Sequence, residues 1–247
     1  EMWKESIHEF IKTKFSDGSI FFSKTLKFSG IGESSIAEKI EDLLNLENPT
    51  VAPYANLGEV KLRITAKSTS KDKAMKEIQP IKEELERRFT KYIFGEDNDT
   101  LSSVIISLLK CRDESIVFAE SCTGGLLSSS ITSKSGASEV FKGGIIAYSN
   151  ELKQNLLGVS KHFLDTHGAV SEEVAEKMAI GVKEKLNADW AIAISGIAGP
   201  KGGTKIKPVG LVYISIISPN NKLTNIKKLY SSRRNRCEIQ KLSVNEC

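Results

Sequence analysis

The chain has 247 residues, 40% of them hydrophobic and 27% charged, with 35 Lys and Arg against 31 Asp and Glu for a net charge of +4. That composition is ordinary for one large or two small globular domains, and the charge is too mild for a nucleic-acid or polybasic membrane protein. No apolar run reaches the roughly 18–20 residues of a membrane span, and no signal-peptide pattern opens the chain. The four cysteines, at 111, 122, 237 and 247, form no Cys-x-x-Cys pair, so zinc and redox motifs are unsupported and reduced cysteines in a cytosolic protein fit best.

In chain order, residues 1–18 carry Trp3, Ile7, Phe10 and Ile11 at helical spacing and end in an Asp17-Gly18 turn. Residues 19–28 read as a strand. Helix 33–45 follows, with Ile36, Ile40, Leu43 and Leu44 on one face, and Asn48-Pro49 breaks it. A strand from Thr50 to Tyr54 leads through the Asn56-Leu57-Gly58 hairpin signal into an alternating strand in which Val60, Leu62, Ile64 and Ala66 point one way. A helical region at 70–92 has Pro80 inside it, expected to kink it or to start its second half. The unit β-α-β-β-α makes a small two-layer α+β domain over 19–96. The polar stretch from Phe94 to Thr100 reads as a linker.

Beyond it come helix 101–111, the strand Ser115–Phe118, and the turn Glu120-Ser-Cys-Thr-Gly-Gly125 leading into helix 123–133. Strand-to-helix turns leave backbone N–H groups at the positive end of a helix dipole, which suits phosphate, carboxylate or a developing oxyanion. Two hydroxyls (Ser121, Thr123), a thiol (Cys122) and a carboxylate (Glu120) crowd that pole; an ordinary βα turn with a serine cap would look similar. Strand 143–148, a helical turn from Asn150 to Leu157, a loop or short helix at 162–167, and a helix from the Ser171 cap to Leu186 follow. Then come an apolar strand Trp190–Ile194, a hairpin of 209–217 with 223–230, and a helix from Asn235 onward. That order predicts an α/β fold, a three-layer α/β/α sandwich over 100–247.

Four motifs carry a resemblance: Phe118-Ala-Glu-Ser-Cys-Thr-Gly-Gly125; Gly143-Gly-Ile-Ile-Ala-Tyr-Ser-Asn-Glu-Leu-Lys153; Gly168-Ala-Val-Ser171; and Ile194-Ser-Gly-Ile-Ala-Gly-Pro200 with Lys207-Pro-Val-Gly-Leu-Val-Tyr213. From Leu101 onward the chain resembles the C-terminal domain of the CinA family, the nicotinamide-nucleotide amidases. Residues 19–96, through Gly30-Ile-Gly-Glu-Ser34 and Asn48-Pro-Thr-Val-Ala-Pro-Tyr54, resemble the family's KH-like middle domain. Residues 1–18 resemble the tail of its upstream molybdopterin-binding-like domain. By that likeness the chain is expected to be a fragment, its amidase domain cut short inside the last helix. The KH-like segment has Gly30-x-Gly32 in place of the Gly-x-x-Gly loop that clamps RNA, so no nucleic acid is expected as partner.

The resemblance implies hydrolysis of nicotinamide mononucleotide (NMN) to nicotinate mononucleotide and ammonia, without metal or other cofactor, in a cytoplasmic homodimer. Motif by motif it points to Ser121 as nucleophile, Lys153 as base and Tyr148 as proton relay. A lysine must lose its proton to serve as base, so burial or a nearby cation has to lower its pKa from about 10.4. Cys122 is the alternative nucleophile, because thiol pKa falls at a helix N-terminus. The N–H groups of Thr123, Gly124 and Gly125 are the expected oxyanion or phosphate donors, and Glu120 is expected to orient Lys153 or a ribose hydroxyl. Ser195, Gly196 and Gly199 form a loop at a strand end, where open α/β sheets place ligands. Ser195 stands where the family often has Thr. Arg234, with Arg236 beside it, is the phosphate candidate, although Ser232 replaces the glycine of the family's Phe-x-Gly-x-Arg. The competing reading is a non-catalytic scaffold module of a competence or DNA-damage protein. Nucleotide pyrophosphatase activity belongs in the family to the upstream domain and is not expected here.

Overall fold

The computed structural model describes residues 18–247, so the helix and upstream-domain tail expected at 1–18 lie outside the described residues, Gly18 apart. The chain divides into two units, residues 1–99 and 100–247. Among the described residues no helix is long and apolar enough to cross a membrane.

The first unit runs β1 (Ile20–Phe28), α1 (Glu33–Lys39), α2 (Glu41–Leu44), β2 (Thr50–Asn56), β3 (Glu59–Ser68), α3 (Lys71–Phe89) and β4 (Ile93–Glu96). Its antiparallel sheet has the order β2-β3-β1-β4. The inward alternation read from β3 holds: Val60, Leu62, Ile64 and Ala66 pack with Leu26 and Phe28 of β1 against Ala74, Ile78, Leu85 and Phe89 of α3. Phe28 meets Phe89 edge to face, centroids 5.5 Å apart.

Three local expectations are corrected. The helix expected at 33–45 divides at Ile40 (φ −126°, ψ 21°), whose N–H turns back three residues to Ala37 O, a tight closing turn. The helical region expected at 70–92 ends at Phe89 and does not restart at Pro80, which lies inside one helix of residues 71–89 capped by Ser70 Oγ on the Lys73 N–H. The supposed linker contains β4, which pairs with β1. Its acidic residues act as turn partners: Asp97 accepts from the Thr25 N–H and from Lys24, and Asp99 accepts from the Glu96 N–H.

The second unit runs α4 (Leu101–Arg112), β5 (Ile116–Glu120), α5 (Leu126–Thr132), a 3₁₀ turn (Ala137–Glu139), β6 (Phe141–Ile146), α6 (Asn150–Leu157), α7 (Lys161–His167), α8 (Glu172–Leu186), β7 (Trp190–Gly196), β8 (Leu211–Ile217), β9 (Leu223–Leu229) and α9 (Arg236–Glu246). The sheet order is β6-β5-β7-β8-β9, with β5 parallel to both neighbours and the β8–β9 hairpin antiparallel.

Strand alternation sorts the two faces. Ile116, Phe118, Ile192 and Ile194 pack with α4, α5 and α9. Val117, Ala119, Ala191 and Ala193 pack with α6, α7 and α8. Helices on both faces of one sheet make the three-layer sandwich expected from the element order. The α8 side is lined by small residues, and α8 approaches closely: a Cβ at Gly181 would lie 2.0 Å from Leu157 O of α6.

Candidate active site

The chain leaves β5 at Glu120 and keeps its sheet pairing for one more residue. The Ser121 N–H donates to Ile194 O at 3.0 Å, and the Ala147 N–H donates to Glu120 O at 2.8 Å. Ser121 is therefore fixed at the C-terminal end of the central strand. On the other side, Ser149 caps α6 through its Oγ on the Leu152 N–H. That sets Lys153 one turn into the helix, facing inward and 1% exposed.

The Lys153 amine sits 3.0 Å from Ser121 Oγ, 2.7 Å from Ala147 O and 3.3 Å from Tyr148 O. The pair expected across 32 residues is thus brought within hydrogen-bond distance. Burial holds the Lys153 amine below the usual lysine value, with the Cys122 thiol opposing the shift. That opposition needs a thiolate, and burial pushes the Cys122 thiol up to about 12, so near neutral pH it carries no charge. The thiol activation expected for Cys122 is reversed: it is buried, and desolvation outweighs the backbone hydrogen bond and the nearby cations.

Glu120 does not orient Lys153. Its fully buried carboxylate folds onto the start of α5, accepting from the Gly125, Leu127 and Ser128 N–H groups at 2.8–3.0 Å and from Ser128 Oγ at 2.7 Å. This alters the expected oxyanion donors. The Gly125 N–H belongs to Glu120, and the Gly124 N–H donates to Ser121 O at 3.2 Å. Among the described residues the N–H groups of Cys122 and Thr123 engage no backbone acceptor, that of Cys122 meeting only its own thiol, which leaves these two beside Ser121. The buried Thr123 Oγ1 likewise has no partner. Helix α5 starts at Leu126, three residues later than expected, because Thr123 to Gly125 form the turn that Glu120 closes.

Ser121, Cys122, Tyr148, Lys153, Ser195 and Arg236 line one cavity of about 250 Å³, with Lys201 and the 196–199 loop at its wall. Lys153, Lys201 and Arg236 face it, and among the described residues no carboxylate does. Ser195, 1% exposed, donates its hydroxyl to Ala169 O at 2.5 Å and so ties the Gly168-Ala-Val loop to the end of β7. Gly196 closes that strand, and Gly199 O accepts from Arg236 at 2.9 Å.

Tyr148 is 59% exposed, and its hydroxyl pairs with Arg236 at 2.9 Å; its carbonyl, not its phenol, reaches Lys153. The relay expected of the phenol is therefore replaced by a contact that orients an arginine. Arg234 lies instead on an adjoining cavity of about 650 Å³ with Pro200, Val209 and Ser232. Arg236, first residue of α9 after the Asn235 cap, borders both cavities. Lys201 and Asn150 line the site without any signal in the sequence beyond their loop or cap positions.

A small antiparallel α+β unit followed by a three-layer α/β/α unit with a buried serine–lysine pair at a cationic cavity defines the class of protein. The chain belongs to the CinA family. Residues 98–247 match the family described as CinA C-terminal domain, and residues 23–95 match the damage-inducible protein CinA KH domain. The chain is 69% identical over 246 residues to a CinA-like protein of Prochlorococcus marinus (strain MIT 9215), covering 100% of this chain and 58% of the relative. It is 49% identical over 244 residues to a CinA-like protein of Gloeothece citriformis (strain PCC 7424), covering 99% of this chain and 58% of the relative. The chain thus spans a little over half the length of the curated relatives it matches. Among solved structures, the competence/damage inducible protein CihA from Agrobacterium tumefaciens is 37% identical with a TM-score of 0.58, over 59% of this chain and 88% of that one. A competence or damage-inducible protein from Enterobacter asburiae is 30% identical with a TM-score of 0.57, over 60% of this chain and 94% of that one.

Proposed function

We propose that this chain deamidates nicotinamide mononucleotide to nicotinate mononucleotide and ammonia, with Ser121 as nucleophile and Lys153 as base. The observation that carries the reading is the Lys153 amine, buried and held by two backbone carbonyls at 3.0 Å from Ser121 Oγ. A neutral amine places its two N–H bonds on Ala147 O and Tyr148 O, which leaves its lone pair for the Ser121 proton. Burial favours that neutral form.

Ser121 Oγ attacks the carboxamide carbon and its proton passes to Lys153. The carbonyl oxygen becomes an oxyanion, for which the Cys122 and Thr123 N–H groups are the available donors. Lys153 returns the proton to the departing nitrogen, ammonia leaves, and the acyl group remains as an ester on Ser121. Water then attacks the ester, gives its proton to Lys153, and Ser121 recovers its hydrogen as nicotinate mononucleotide departs. Lys201 and Arg236 suit the substrate phosphate, a planar guanidinium held by Gly199 O and Tyr148 being preset for it.

Ammonia release from NMN by the purified chain tests the reading. Turnover that disappears in both Ser121→Ala and Lys153→Ala is expected. A folded wild type that releases no ammonia would defeat it.

A further inference from the structure

Glu120 is a fully buried carboxylate beside a reactive centre, and no step of the proposed reaction uses it. Its four acceptor sites are filled: Oε2 takes the Gly125 and Leu127 N–H groups, and Oε1 takes the Ser128 N–H and Oγ–H. Four donors match the four acceptor sites of the two oxygens, so the buried group leaves no acceptor unmet. The surroundings are built to fit. A Cβ at Gly144 on the neighbouring β6 would lie 2.5 Å from Ser128 Oγ, so the glycine leaves room for the hydroxyl that reaches Glu120.

The backbone of the same residue registers both halves of the pair. Glu120 O accepts from the Ala147 N–H, and Ala147 O in turn accepts from Lys153 Nζ. The next residue is Ser121, whose turn the Glu120 side chain clamps from the far side through Gly125. A carboxylate drawn from six residues before α5 thus replaces the ordinary cap and takes up the helix N-terminus that would otherwise attract a ligand anion.

We propose that Glu120 is the positioning residue of the Ser121–Lys153 pair, setting the nucleophile's turn through its side chain and the amine's carbonyl partner through its backbone. It rests on the reading of Ser121 as nucleophile. A glutamine cannot substitute. Each carboxylate oxygen faces two donors, so whichever way an amide is turned, its NH₂ confronts two of them. The turn must then move, and a displacement of about 1 Å near a reacting atom lowers reactivity about 100-fold.

A fluorophosphonate probe, which phosphonylates activated serines with loss of fluoride irrespective of the natural substrate, reads this in the full chain. The measured quantities are the limiting labelling rate at saturating probe, the probe concentration for half-maximal rate, and the final fraction labelled at Ser121. For Glu120→Gln the limiting rate is expected to fall about 100-fold. Ser128→Ala, which removes one of four donors, is expected to fall about 3–10-fold and guards against a Glu120 variant that does not fold. Ser129→Ala, on the exposed side of the same helix, should label as the wild type does. In each case the final labelled fraction and the half-maximal concentration stay unchanged. A purely structural cap would instead lower the labelled fraction and leave the rate of the folded molecules intact, and that result overturns the proposal. So does wild-type labelling rate in both folded variants. A wild type that is folded and never labels overturns the nucleophile reading itself, and the proposal falls with it.

Discussion

Gly181→Ala separates two opposed effects at a position remote from the reacting atoms. In the interior of α8, alanine is favoured over glycine by about 1 kcal/mol. Sterics point the other way: the added Cβ lies 2.0 Å from Leu157 O, whereas contacts under 3.0 Å are essentially never seen. The helices must separate by about 1 Å, and such overpacking costs about 1–3 kcal/mol. The net expectation is a loss of about 1 kcal/mol, or about 2–4 °C in melting temperature for a unit of this size. Leu157 and Lys153 are one turn apart on the same face of α6, both buried. A shift of about 1 Å therefore stretches the 3.0 Å Lys153–Ser121 contact beyond hydrogen-bond length. Turnover of NMN is expected to fall about 100-fold. Thermal melting and ammonia release are the two assays, and melting decides the steric half without reference to substrate. A Gly181→Ala protein that melts above the wild type and retains full turnover would refute the reasoning, because propensity would then have prevailed without moving Lys153.

Three further outcomes are expected. Because the neutral Lys153 is the reactive form and burial lowers its pKa, turnover should rise with pH along an acid limb lying below the free-lysine value of about 10.4. Between those two values the unfolded chain binds more protons than the folded one, so stability should also rise with pH in that window, an increment absent from Lys153→Met in pH-dependent urea titrations. Cys122→Ala should keep turnover within a few-fold, and iodoacetamide at pH 8 should leave Cys122 unmodified, since a thiol pushed up to about 12 is neutral there; rapid alkylation mapped to Cys122 by mass spectrometry, with loss of turnover, would contradict this. Arg236→Ala should raise KM for the mononucleotide about 10–100-fold and leave nicotinamide riboside unaffected, while Arg234→Ala changes little; steady-state kinetics on both substrates would show the reverse if Arg234 held the phosphate.

The central strand, the turn after it and the serine–lysine spacing were legible because they are local patterns joined by one family order of motifs. The three-layer architecture was legible because strands and helices alternate along the chain and the central strands are apolar throughout, as strands covered on both faces must be. The role of Glu120 was not. Helix caps normally stand one residue before the helix, and here the carboxylate comes from the end of the preceding strand, six positions away, so no cap pattern marks it. That same distant cap removes the Gly125 N–H from the expected donors. Arg236 and Arg234 are neighbours of one charge and one chemistry; only the Asn235 cap, which starts α9 at Arg236, decides which faces Ser121's cavity. Strand β4 was hidden because four residues containing a glycine and running into an acidic stretch look like a linker until β1 supplies the pairing.

Arg236 closes a cavity begun at Ser121, and its position 115 residues downstream fixes a timetable for the growing chain. At about 5–20 residues per second, roughly 6–23 s pass between synthesis of the serine and of the arginine that faces it. During that interval β7, which supplies the carbonyl that fixes Ser121, is also still to be made, since Ile194 lies 73 residues downstream. A ribosome-bound chain carrying both Ser121 and Lys153 therefore holds the two reacting groups without the frame that aligns them. Until β7 pairs with β5 the Ser121 N–H lacks the Ile194 carbonyl, so the alignment of this pair arrives only with the sheet.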